Sequence, residues 1–227
     1  MDKPYIVCHM MTSADGRIDC AMTAQLAGVD AYYETLNALE TPTTLTGRVT
    51  AALELALAGS FKTGNPQPYG KEGFSKKTAA AGYEIVVDTH GTLLWNDDSQ
   101  YDAPHLIVTS ENVSRAYLDY LDSKNISWIA CGKNRIDLKR AAAILADEFN
   151  VKRMAVVGGA KINSAFLSER LLDEISLLIG AGIDGRSGMP AVFDGFDANR
   201  PVTALKLQSV KAFDDGAVWL RYTPKYA

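Results

Sequence analysis

One pattern limits what this chain can fold into more than any other. Short apolar runs end in small or glycine-containing turns and lead into helical stretches, again and again. The first run, Tyr5-Ile6-Val7-Cys8-His9-Met10-Met11, is continuous rather than alternating, which suits a strand buried on both faces. It ends at Thr12-Ser13-Ala14-Asp15-Gly16-Arg17, where Asp-Gly marks a turn. Tyr33, Leu36 and Leu39 then fall at helical spacing behind Asp30. Thr43–Thr46 reads as a strand that passes through Gly47-Arg48 into an Ala/Leu-rich helix from Val49 to Ala58.

The rhythm fails between Gly59 and Gly82, where Gly64-Asn65-Pro66-Gln67-Pro68-Tyr69-Gly70-Lys71 is rich in breakers. Such a segment is expected to be a lid or a disordered loop. Strands follow at 85–87, 105–108, 126–130, 154–157 and 174–179, with helices at 111–121, 138–149 and 161–170. The tail differs: two extended runs, 202–213 and 217–222, flank Asp214-Asp215-Gly216 and read as an antiparallel hairpin. Together these imply an α/β fold with a mostly parallel central sheet flanked by helices and a C-terminal antiparallel hairpin. No linker or repeat interrupts the 227 residues, so residues 1–227 are expected to be a single domain.

Charge and cysteines exclude several classes. With 23 basic and 27 acidic side chains the chain carries −4, leaving no global field for nucleic acid or an anionic membrane. An anionic small molecule needs a local positive site instead. Cys8, Cys20 and Cys131 are odd in number and scattered, reading as reduced thiols of a cytoplasmic protein rather than a disulfide frame or zinc site. No metal site is expected. The N-terminus lacks a basic region followed by an apolar stretch, and no run nears the ~18 residues of a spanning helix.

Ligands of open α/β sheets bind where strands turn into helices, and four turns qualify. At Val156-Val157-Gly158-Gly159-Ala160-Lys161-Ile162-Asn163, paired glycines before a helix admit a pyrophosphate to free N–H groups, or simply make a tight turn. At Leu45-Thr46-Gly47-Arg48-Val49-Thr50, Thr50 reads first as a cap, and Arg48 could pair with an anion. At Val108-Thr109-Ser110-Glu111, Ser110 reads as an ordinary cap with anion binding second. Ser13-Ala14-Asp15-Gly16 reads as a reverse turn held by Asp15. His9 and His105 sit in apolar strands and read as core residues, while Asp97-Asp98 and Asp214-Asp215 read as solvated pairs. No nucleophile elbow or metal-binding helix appears, and no catalytic residue can be named. Phosphate-friendly turns without a nucleophile suggest a dinucleotide enzyme whose cofactor carries the chemistry.

In order, these turns resemble a known family. Met11-Thr12-Ser13-Ala14-Asp15-Gly16-Arg17-Ile18 resembles the opening Ser-x-Asp-Gly-[Lys/Arg]-Ile signature of the reductase (C-terminal) domain of the bifunctional riboflavin-biosynthesis deaminase/reductase, the RibD family. Gly47-Arg48-Val49-Thr50 resembles the Gly-x-x-Thr turn it shares with dihydrofolate reductases. Val157–Asn163 followed by Leu171-Leu172-Asp173-Glu174-Ile175-Ser176-Leu177 resembles its late block.

The resemblance implies a dihydrofolate-reductase-like fold, an NADPH-dependent oxidoreductase and a homodimer. The implied reaction resembles that of 5-amino-6-(5-phosphoribosylamino)uracil reductase, a hydride passing to the ribosyl C1 of a phosphorylated pyrimidine. It places Met11 by the nicotinamide, Thr50 and Glu54 at the cofactor, and Gly158, Gly159, Ala160, Lys161, Ile162 and Asn163 at the pyrophosphate. By analogy Thr109 and Ser110 hold the 2′-phosphate. Ser13, Asp15, Gln25 and Val157 fall on the substrate side, Val157 where the pathway enzymes usually carry Glu. Arg17, Lys71, Lys76 and Lys77 are candidates for the substrate phosphate by charge. Two other readings remain: a dihydrofolate-type or other reductase, with Asp30 or Glu34 as pterin carboxylate, and a non-catalytic NADP-binding module.

Overall fold

The structure is a computed structural model that describes residues 2–64, 66–100 and 103–226. Asn65, part of the breaker-rich run above, lies outside the described residues. In chain order the elements are β1 (Tyr5–Thr12), α1 (Cys20–Thr23), α2 (Val29–Ala38), β2 (Thr43–Gly47), α3 (Arg48–Glu54), β3 (Gly73–Ser75) and β4 (Glu84–Val87). After a 3-10 turn at Asp98–Gln100 come β5 (His105–Thr109), α4 (Arg115–Ser123), β6 (Ser127–Ala130), α5 (Leu138–Asp147) and β7 (Arg153–Gly158). The chain ends with α6 (Ala160–Ser168), β8 (Glu174–Ile179), β9 (Ala204–Ala212) and β10 (Val218–Lys225).

Contacts divide the chain into two compact units. The first comprises Pro42–Met154 and the few residues before Tyr5. Its strands lie in the order β3-β6-β5-β4-β2. β2, β4, β5 and β6 pair in parallel, and β3 closes the edge antiparallel to β6. All five residues of β5 are buried, as a parallel strand covered on both faces requires. α4 supplies Tyr117, Leu118 and Leu121 to a core with Val86, Ile107, Trp95 and Trp128. Helix starts are capped by side chains: Ser114 accepts from Tyr117 N–H and Asp137 from Arg140 N–H.

The second unit comprises Tyr5–Thr41 and Ala155–Ala227, with the strand order β7-β1-β8-β10-β9. β1 and β8 are parallel, while β10 pairs antiparallel with both β8 and β9. α2 covers one face, where Ala31, Tyr32 and Val29 meet Met11, Leu178 and Trp219. The expected mostly parallel α/β architecture with a C-terminal antiparallel hairpin is therefore present.

Several sequence expectations need correction. The segment 59–82 is packed rather than free: Phe61 and Tyr69 join the first core, and Gly73–Ser75 forms the edge strand β3. The helix expected to reach Ala58 stops at Glu54, because Leu57 leaves it to pair with Leu94. The helix expected from Glu111 begins at Arg115; Ser114 caps it, and Ser110 instead donates to the Thr89 carbonyl. Thr50 does not cap α3, whose N-cap is Gly47. Asp98 is not solvated; the 3-10 turn buries it against the start of β5, where it accepts from His105 N–H at 2.7 Å and lies 2.6 Å from His105 Nδ1. His9 and His105 are core residues, as expected.

Candidate functional site

In the second unit, the loops leaving the parallel neighbours β1 and β8 meet each other. Ala14 N–H donates to the Gly182 carbonyl at 2.8 Å. The Asp15 carboxylate accepts from Ser13 Oγ at 2.6 Å and from the N–H groups of Asp184 and Gly185, both at 3.0 Å. The Ser13 hydroxyl first, and then those two amides, hold the Asp15 carboxyl well below the usual carboxylate range. Asp15 thus does more than hold its own turn: it fastens the β8 loop as well. That loop, with glycines at 180, 182 and 185, was the functional element sequence reading did not single out, though the glycine spacing was there to see. Gly180 and Gly182 matter for a reason of space. A Cβ at either would come within 2.8 or 2.5 Å of Leu26, so their lack of side chains lets the loop carrying Gln25 settle on β8. Gln25 itself is exposed, and its amide donates to the Ala21 carbonyl. Arg17 donates to the Met189 carbonyl at 2.6 Å.

Met11 is 6% exposed and packs with Ala31, Leu178 and Ala217, giving this end of β1 an apolar wall. Behind it, His9 stacks on Tyr32 and lies 2.9 Å from Ser176 Oγ, to which Trp219 Nε1 donates. Burial lowers the His9 pKa to about 4, so its imidazole is neutral at physiological pH.

The Gly-Gly turn of the same unit joins β7 to α6. Gly158 has φ 143°, a region side chains avoid, and Gly159 is the N-cap of α6 with no capping side chain. The leading N–H groups of α6 are therefore uncapped by a side chain at this end, and the exposed Lys161 adds a cation beside them. This chemistry fits a pyrophosphate. Asn163 does different work: it is fully buried, and its Nδ2 donates to the Val192 carbonyl at 2.8 Å. Its remaining amide atom, Oδ1, is a buried acceptor and offers nothing to an anion. Val157 is half-buried on β7, Ala160 is buried and Ile162 is half-buried.

Most of the remaining candidates lie in the first unit. Thr50 is half-buried and Glu54 exposed on α3. Thr109 and Ser110 are fully buried, and their hydroxyls donate to the carbonyls of Ile129 and Thr89. Both protons are thus used inside the fold. Lys77 is paired with Asp122 at 2.8 Å, Lys76 donates to the Glu148 carbonyl, and Lys71 lies over the Tyr69 ring. In the second unit, Asp30 is exposed, and Glu34 is exposed and paired with Lys211 at 3.0 Å. Neither carboxylate has the buried setting that a pterin would need. Among the described residues no cluster of acidic, His and Cys side chains could hold a metal, and no helix is long and apolar enough to cross a membrane.

Residues 4–219 match the model of the RibD C-terminal domain. The riboflavin biosynthesis protein RibD of Chlamydia muridarum is 29% identical over 115 residues, covering 48% of this chain and 30% of that protein. The 2,5-diamino-6-ribosylamino-4(3H)-pyrimidinone 5′-phosphate reductase of Aquifex aeolicus is 28% identical over 110 residues, covering 48% of this chain and 49% of that protein. The chain therefore matches less than half the length of either curated relative. Among solved structures, a pyrimidine reductase-like protein of Corynebacterium diphtheriae superposes with a TM-score of 0.73 at 17% identity, covering 99% of this chain and 93% of its own. The riboflavin biosynthesis reductase of Saccharomyces cerevisiae gives 0.62 at 19% identity, covering 98% and 90%. At these identities the likeness is one of fold. The match across nearly the whole chain is decisive for membership: this protein belongs to the RibD C-terminal domain family.

Proposed function

We propose that this protein is an NADPH-dependent reductase that converts the ribosylamino side chain of a pyrimidine 5′-phosphate to ribitylamino. The single observation that supports this most is the side-chain-free start of α6. Gly158 and Gly159 let backbone approach a ligand, and Lys161 stands beside the helix's positive end. In a family whose curated relatives include a pyrimidinone 5′-phosphate reductase, that end suits the cofactor's pyrophosphate.

The bound nicotinamide would supply the hydride. The chain's own work is to bind, orient and exclude water. The Met11 wall offers an apolar, water-poor surface for a nicotinamide ring. The Ser13–Asp15 loop, fastened to the β8 loop, gives a rigid frame for the pyrimidine side. Because the Ser13 hydroxyl is spent on Asp15, the proposal gives that loop a positioning role. With Val157 in place of the Glu usual in the pathway enzymes, the substrate is held without that carboxylate.

The test is a turnover assay on the whole chain with NADPH and 5-amino-6-(5-phosphoribosylamino)uracil, following loss of the reduced nicotinamide absorbance. Turnover with this compound and none with dihydrofolate supports the proposal. The reverse outcome overturns it.

A further inference from the structure

In the second unit, the end of the sheet where β8 begins holds a cavity that the reductase reading does not use. Its volume is about 280 Å³, and it opens beside α6, the start of β8 and the segment leading into β9. Leu167, Ile175, Phe193, Phe196 and Leu205 give it apolar walls, and Arg200 joins them. Leu167 is the penultimate residue of α6 and Ile175 the second of β8. The cavity therefore lies ~10 Å along α6 from the Gly158-Gly159 turn and ~17 Å along β8 from Gly180. Ligands of open α/β sheets sit at the other end, where parallel strands finish.

Arg200 sets the chemistry of this place. It is half-buried, and its guanidinium carbon stands 3.8 Å over the centre of the Phe196 ring. Stacking on the ring holds the guanidinium plane and leaves its N–H edge for a planar acceptor. Among the described residues no carboxylate pairs with it. Asp197, also on the wall, is exposed, and its Oδ1 accepts from the Asn199 N–H at 2.9 Å, inside its own turn. Arg200 N–H closes that turn on the Asp197 carbonyl at 3.0 Å. A guanidinium taken partly out of water is satisfied best by an acceptor that is itself charged.

Size narrows the ligand. An apolar cavity of ~150 Å³ holds one benzene molecule, so one nearly twice as large takes on the order of ten heavy atoms. It is too small for a dinucleotide, since even drug-sized ligands occupy ~300–1,000 Å³. One guanidinium balances one negative charge. A single carboxylate on an apolar body matches both features, by bidentate pairing with Arg200 and burial against Leu167, Ile175 and Phe193.

We propose that this cavity is a second small-molecule site, which takes a monocarboxylate with an apolar body of about eight carbons. The carboxylate pairs with Arg200, and the chain lies against the end of α6 and the start of β8. The proposal goes beyond the reductase reading and does not require it.

Isothermal titration calorimetry of the whole chain with octanoate tests it. Octanoate is expected to bind at one site, and 1-octanol, which lacks the charge, about tenfold more weakly or worse. Arg200→Gln is expected to weaken octanoate by about tenfold or more. Leu205→Glu, which sets a like charge on the wall at a side chain 40% exposed, is expected to do the same. Circular dichroism checks that each variant is folded, and either one that folds carries the test. Lys206→Gln removes an exposed cation of β9 that is not on the wall, and octanoate affinity is expected to stay the same. Saturating NADPH is expected to leave it unchanged too. No octanoate binding, equal binding of octanol, or unaltered affinity in a folded Arg200→Gln or Leu205→Glu would overturn the proposal. So would weaker binding by Lys206→Gln, or displacement of octanoate by NADPH. Turnover plays no part in the readout, so failure here leaves the reductase reading standing, and the reverse.

Discussion

The carboxylate of Asp15 and the backbone N–H of Asp184 lie 3.0 Å apart, 169 residues distant in sequence, and join the loops that follow two neighbouring parallel strands. Parallel pairing of β1 with β8 makes this possible, since both chains leave the sheet at the same end. With Ser13 Oγ at 2.6 Å, the carboxylate is held by donors that favour its charged form.

Its folded pKa is therefore depressed, so any stability it contributes is complete above the unfolded value near 4 and is lost only as pH falls through the lower folded value. The expected result is an Asp15 side-chain carbon signal that still reports ionised carboxylate at about pH 3 in an NMR titration. Protonation at the ordinary value would show that the two loops are not tied. Asp15→Asn is expected to raise KM for the pyrimidine substrate more than it changes NADPH affinity.

His9 works in the opposite direction. Its pKa is lowered to about 4 by burial, from an ordinary value near 6.5. Above that ordinary value the group is neutral in both states and has no effect. Below it the unfolded chain takes up a proton that the folded chain refuses, so stability falls as pH drops from about 6.5 toward 4, by up to ~3 kcal/mol. Urea unfolding across this range measures the slope. His9→Asn is expected to flatten it, and an unchanged acid limb would remove His9 from the account.

Asp98 and His105 form a purely structural pair. Asp98 is 3% exposed and His105 5%, and their contact spans the 3-10 turn and the first residue of β5. Asp98→Ala leaves buried donors without their acceptor, and is expected to cost ~1–3 kcal/mol of unfolding free energy. Catalytic parameters of the surviving folded fraction should not change.

Gly159→Val tests the cofactor loop. Gly159 has φ −91°, which valine tolerates, so the fold is expected to survive. The added side chain stands where backbone must approach the ligand, and NADPH affinity is expected to fall by about tenfold or more, ~1.4 kcal/mol, by calorimetry. Unchanged affinity in a folded variant would move the cofactor elsewhere.

How much of this was legible depends on the range of the interactions. Continuous apolar runs such as Tyr5–Met11 and His105–Val108 announced buried parallel strands, because burial on both faces leaves no room for polar alternation. The Asp-Asp-Gly hairpin was equally visible, its Gly216 having φ 90°. Three residues of β3 and one turn of α1 are too short to show a period. Ser110 and Ser114 are both good caps by type, and only the path of the chain after β5 chooses Ser114. In the candidate site, the glycines and the Met11 strand could be read directly. What the hydroxyls of Ser13, Thr109 and Ser110 bond to could not, since those partners are set by folding.

Incubation of the purified chain with NADPH and 5-amino-6-(5-phosphoribosylamino)uracil, with mass spectrometry of the product, decides whether the protein is this reductase. The expected result is NADPH consumption that depends on the pyrimidine, with a product heavier by one hydride and one proton and the label of a deuterated nicotinamide on the former ribosyl C1. NADPH binding without consumption, or a product without label at that carbon, would contradict it.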